Sequence, residues 1–200
     1  MDNRIGNKHI NFHPLFSKRN SMLVLTGVWI IIQGFIFFQH GIQKEGEALR
    51  FIREASNLEN HGHFSSPVYF LYFIETLLIL ISQKIATGYF FVIAVQLALN
   101  FFALYVFYKF LYERNGNVAA FLLSLLLIIC TPYQLYNSFL YTESIFFSLS
   151  LIYSILLLQT ERLSTQRIFG IIVFLILLCI TRPTGLFFAF ATFIYLFVRT

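Results

Sequence analysis

The chain has 200 residues, of which 58% are hydrophobic and 12% charged, and its mean hydropathy is +0.74. Soluble domains average about 45–50% apolar and roughly 25% charged residues, so a soluble globule and a disordered chain are both excluded. The net charge of +5 comes from 14 Lys and Arg against nine Asp and Glu, but the cations are scattered between apolar runs and make no basic face, which excludes a nucleic-acid partner.

Several apolar runs approach the 18–20 residues that a helix needs to cross about 30 Å of hydrocarbon. The basic stretch 1–20, with Arg4, Lys8, Lys18 and Arg19, lacks a small-residue cleavage site and reads as a retained cytoplasmic tail. The first span is expected over about Ser21 to Gln39. An external loop over 40–88 follows, and in it Ala48, Leu49, Phe51, Ile52, Ala55 and Leu58 recur at helical spacing. That predicts an amphipathic helix over about 45–59, lying on the membrane, with Lys44, Glu45, Glu47, Arg50, Arg53 and Glu54 solvating it.

The run from about Pro67 to Ser82 is short and carries Glu75 at its middle, so topology hangs on it. If it lies at the interface, the inner side holds eight cations (4, 8, 18, 19, 109, 114, 162, 167) against five outside (44, 50, 53, 84, 182). Cytoplasmic loops carry the excess of Lys and Arg, and the interfacial reading follows. The later spans are then about Tyr89 to Leu111, Val118 to Thr131, Ser144 to Gln159, Arg167 to Thr181 and Leu186 to Arg199. The expected fold is an all-α polytopic membrane protein with about six transmembrane helices, two interfacial helices in the first external loop, and a membrane module over 21–200. Cys130 and Cys179 sit inside apolar runs and read as core thiols.

On this topology the polar elements gather at the outer leaflet. Arg182 stands at the end of an apolar helix, where Pro183 breaks the helix and Gly185 permits close approach. It suits either a phosphate gripped by paired N–H bonds or an arginine snorkelling to headgroups. Glu143 opens a helix, where the dipole favours a carboxylate and Thr142 or Ser144 offers a cap. Glu47 reads either as a solvating charge or as a base. His61 and His63, with Glu59 and His40, offer donors for a divalent metal, against a plainer reading as exposed loop histidines. No Gly-rich phosphate loop or nucleophile elbow occurs.

In order and spacing these elements resemble the membrane glycosyltransferases of the GT-C type, the protein O-mannosyltransferase-like and aminoarabinose-transferase-like group. Glu47, Phe51 and Ala55 match an acidic-x-x-x-aromatic-x-x-x-Ala pattern in the first external loop, and Pro67-Val-Tyr-Phe-Leu-Tyr72 matches a Pro-initiated juxtamembrane helix. Pro132-Tyr133, Thr142-Glu143 and Arg182-Pro-Thr-Gly185 match later motifs. The resemblance implies transfer of a sugar from a polyprenyl-phosphate donor to a lipid, glycan or protein acceptor at the outer face of a bacterial plasma membrane, with no cofactor fixed beyond a possible divalent metal.

By the same resemblance Glu47 is the general base and Arg182 binds the donor phosphate, while Glu143, with Tyr141 and Thr142, supports the acceptor or the polar network. The family carries more spans and often a soluble C-terminal domain, so the chain corresponds to an N-terminal part of such an enzyme. Two other readings compete: a transporter or lipid flippase with Glu75, Glu143 and Arg182 along its pathway, and a non-catalytic membrane scaffold.

Overall fold

The computed structural model describes residues 17–85, 87–159 and 165–199. Arg4, Lys8 and Arg162 of the charge count lie outside them. The described residues are helical with no strand. By length and composition, three stretches are long and apolar enough to cross a membrane, namely Lys18–His40, Pro67–Lys84 and Phe90–Ile129, and three shorter apolar helices follow.

Helix α1 (Lys18–His40) begins where the Ser17 hydroxyl accepts the Asn20 N–H at 3.3 Å, and it ends at Gly41, whose φ of 59° few other residues adopt. Helix α2 (Ala48–His61) replaces the expected 45–59 element, and its buried stripe is Ala48, Phe51, Glu54 and Ala55. The Pro67 run is a 3₁₀ turn (Pro67–Tyr72) continuing into α3 (Phe73–Lys84).

Glu54 corrects the expectation that the charges of α2 simply solvate it. Its side chain turns inward, and its carboxylate accepts the Ser65 N–H at 2.9 Å and the Ser65 hydroxyl at 2.5 Å. It thereby closes the loop between α2 and the Pro67 turn. Burying a carboxylate is tolerable where donors meet it.

Helix α4 (Phe90–Ile129) is two helices joined at Gly116, whose φ of 79° interrupts the helix. Nine positions along a straight helix are about 13.5 Å, yet the Tyr108 hydroxyl donates to Asn117 Oδ1 at 2.7 Å, so the chain doubles back there. Leu25 of α1 packs in one cluster with Leu104 and Tyr108 before the break and with Ala120 and Ile128 after it. The doubling falls in the polar turn that the sequence places between two apolar runs.

After α4 come the short α5 (Thr131–Leu135), a 3₁₀ turn (Tyr136–Ser138), α6 (Thr142–Leu158), α7 (Thr165–Thr181) and α8 (Gly185–Arg199). Cys130 is exposed and both cysteines are free. It is not the core thiol expected, because the chain leaves helical geometry there, immediately before Thr131-Pro132.

Cross-links between helices define two ends. At one, the Tyr108 hydroxyl also donates to Lys18 O (3.3 Å) and Arg114 Nη2 donates to Leu158 O (3.2 Å). At the other, Gln33 Nε2 donates to Gln134 Oε1 (2.6 Å), Gln43 pairs with Phe139, and Lys44 lies over the Tyr89 ring. α2 and α3 pack at this second end, with Phe51 and Ile79 sharing a core with Val92 and Leu140. Around the bundle large apolar side chains face outward, among them Phe38 (86% exposed), Ile31 and Phe187, a belt that water does not favour.

Candidate functional site

The site is assembled from two helix ends and a loop. α7 ends at Thr181, Pro183 sits in the turn, and α8 begins at Gly185, leaving Arg182 between them, as its proline predicts. Gly185 is obligatory for a reason the sequence only hinted at. A Cβ there would lie 2.3 Å from Leu178 O and 2.6 Å from Cys179 N, both backbone atoms. Close passage of α8 over the last turn of α7 therefore fixes where Arg182 emerges.

Arg182 Nη1 pairs with Glu143 Oε1 at 2.6 Å, the side chains being 28% and 12% exposed. The pair has the polarity that helix dipoles favour: the cation sits at a helix C-terminus and the carboxylate in the first turn of α6. Neither Thr142 nor Ser144 caps α6 as expected. Tyr141 occupies the cap position without a capping bond from its side chain, the Ser144 hydroxyl donates to Asn137 Oδ1 at 2.5 Å, and Thr142 Oγ1 is buried without a partner. Glu143 Oε2 is likewise unpartnered.

Glu75 of α3 is fully buried, with the Gln96 side chain and the Glu143 carboxylate as the groups that act on it. Neither Glu75 oxygen has a well-formed hydrogen bond, and Gln96 Oε1 is also unpartnered, although Gln96 Nε2 donates to Phe139 O (3.1 Å) and Tyr141 O (3.3 Å). The apolar context of Glu75 marked it in the sequence; its proximity to Glu143 had no local signal.

Glu47 is exposed at the start of α2. Together with Arg50, Phe51, Tyr69 and Tyr72 it lines a hollow of about 50 Å³, room for a water or two, so anything larger must approach from the open side. Glu47 makes no hydrogen bond or ion pair with Arg182 or Glu143. Its loop is nevertheless tied to α6, because the Tyr141 hydroxyl donates to Glu45 O at 3.0 Å. Gly46, with φ of 63°, lies so near that a Cβ would sit 2.6 Å from that hydroxyl. Tyr141 thus acts as a strut between the Glu47 loop and the helix carrying Glu143. Tyr69 and Tyr72 are the residues that sequence reasoning missed here; their three-residue spacing after Pro67 was the available signal.

His61 and His63 have ring centroids 6.0 Å apart, with His63 Nδ1 3.1 Å from Phe64 O. Among the described residues no cluster of three metal-ligating side chains forms. No family model, curated protein or solved structure matches this chain.

Proposed function

We propose that the protein is an integral membrane glycosyltransferase of the GT-C type, which moves a sugar from a polyprenyl-phosphate donor to an acceptor hydroxyl at the outer face of the membrane. In this reading six helical segments cross: α1, the two halves of α4, α6, α7 and α8. The α2 and α3 helices lie at the outer interface. The observation that carries the reading is the partly exposed Arg182 held between helix ends by Glu143, with the exposed carboxylate of Glu47 strutted to the same segment by Tyr141.

The chemistry divides between these groups. Arg182 engages Glu143 through Nη1, and its remaining N–H donors suit the oxygens of a phosphate. Glu47 takes the proton from the acceptor hydroxyl as that oxygen bonds to the anomeric carbon. The bond from that carbon to the phosphate oxygen breaks, polyprenyl phosphate leaves, and Arg182 stabilises the charge that grows on it. Attack opposite the leaving group inverts the anomeric centre.

A transport pathway is less well supported, because two of the polar side chains deep in the bundle tie neighbouring segments together. Trp29 Nε1 donates to Asn100 Oδ1 at 2.8 Å, and Gln96 is bonded to the α6 approach. The test is release of polyprenyl phosphate from a radiolabelled polyprenyl-phosphate sugar by membranes containing the full chain. Glu47→Gln should slow it about 100-fold or more and Arg182→Ala should raise the donor KM. Wild-type rates in both variants, or no turnover of any polyprenyl-phosphate sugar by the unaltered chain, would refute the assignment.

A further inference from the structure

A groove of about 680 Å³ is at the opposite end from Arg182 and has no part in the proposed chemistry. Its walls include Phe102, Tyr105, Lys109, Glu113 and Arg114. A second groove of about 420 Å³ runs between α1 and α4, from Lys18 and Arg19 past Met22 and Leu23 to Thr26. Tyr105 and Lys109 line both, which makes the two neighbours along α4 and sets the smaller one, the α1–α4 cleft, beside the cations of the larger.

Two helical stripes build it. On α1, Lys18, Met22 and Thr26 recur every four residues, and on α4 Tyr105, Lys109 and Glu113 do the same, which places each set on one face. Cations therefore sit at the mouth and apolar groups lie deeper between the same two helices.

Among the described residues, four cations gather there against one carboxylate, Glu113. Lys18 lies 4.9 Å from the centre of the Tyr112 ring and Arg114 4.7 Å from that of Phe110, contacts that hold a cation in place without neutralising it. None of Lys18, Arg19, Lys109 and Arg114 is ion-paired among the described residues, whereas Arg182 is. A basic rim above an apolar cleft between helices matches an anionic headgroup carrying an acyl chain.

We propose that this cleft binds an anionic phospholipid of the inner leaflet, its phosphate between Lys109 and Arg19 and one acyl chain along Met22 and Leu23. A soluble phosphate would have no use for the apolar wall, and a zwitterionic lipid would leave the cations unmatched. The inference needs the chain to sit in a bilayer but not the sugar-transfer reading, since no group is shared with it.

The test is native mass spectrometry of the full chain in neutral detergent, titrated with phosphatidylglycerol and, separately, phosphatidylcholine. Phosphatidylglycerol should bind in preference, and Lys109→Gln and Arg19→Gln should each weaken it about fivefold. Lys84→Gln, a cation at the other end, should leave it unchanged. All three residues are exposed, and unaltered melting temperatures would show that the variants fold; Lys18→Gln replaces any that does not. Equal binding of phosphatidylcholine, no loss in the cleft variants, or an equal loss in Lys84→Gln would overturn the proposal. Displacement of the lipid by millimolar glycerol phosphate would assign the cations to soluble phosphate and overturn it as well.

Discussion

The two ends of the bundle handle arginine and lysine in opposite ways. At the α7–α8 turn Arg182 is ion-paired at 2.6 Å and pinned by a close backbone crossing at Gly185. At the Lys18 end the cations rest on aromatic faces or stand unpaired around open grooves. Both sets occupy the ends of apolar helices, where snorkelling alone would account for them. What separates a held cation from a merely oriented one is the second element that meets it.

That contrast is most sharply broken at Gly185. Gly185→Ala drives a Cβ into Leu178 O, and opening the crossing should destabilise the protein by about 3 kcal/mol, seen as a lower melting temperature in detergent. By moving Arg182 it should also abolish the proposed sugar transfer. By contrast, a Cβ at Gly34 of α1, at the same end of the bundle, meets nothing within 4 Å, and Gly34→Ala should be neutral.

Next in size is the pair itself. Arg182→Ala or Glu143→Ala strands a partly buried charge and should cost about 1–2 kcal/mol, the lower figures of such losses being apt because Arg182 is partly exposed. The swap Arg182→Glu with Glu143→Arg should recover part of that stability without recovering the proposed transfer, since the cation would no longer stand where the proposed mechanism puts the donor phosphate. Recovery of both would make the pair structural only.

Smaller effects belong to the struts. Glu54→Ala leaves the Ser65 N–H without its acceptor and should cost about 1–2 kcal/mol, with faster amide exchange over residues 62–66 as the local readout. Tyr141→Phe removes one hydrogen bond to Glu45 O and should cost about 1 kcal/mol. Its larger consequence should be a slower transfer step, because the Glu47 loop loses its tie to α6.

Much of the fold was legible in the sequence because apolar run length and proline position are local signals. The apolar helices α1, α6, α7 and α8, the break at Pro183 and the polar turn near Asn117 all follow from them. The burial of Glu54 was not, since its acceptor role depends on Ser65 arriving from the far side of a loop. Likewise Arg182 and Glu143 were singled out separately, one for its proline and one for its helix start, but nothing along the chain says that α6 and α7 bring them within 2.6 Å. Exposure of Cys130 escaped for the converse reason: an apolar neighbourhood in sequence does not reveal that the helix ends there.

The account rests on the two ends facing opposite sides of a membrane. With Cys130 and Cys179 replaced by alanine, single cysteines at Gln43, Thr184, Arg114 and Gln159 can be labelled with an impermeant maleimide in intact cells. The account predicts labelling of Gln43 and Thr184 positions from outside, and of Arg114 and Gln159 positions only after permeabilisation. Labelling of Arg114 or Gln159 in intact cells, or protection of Thr184, would contradict it.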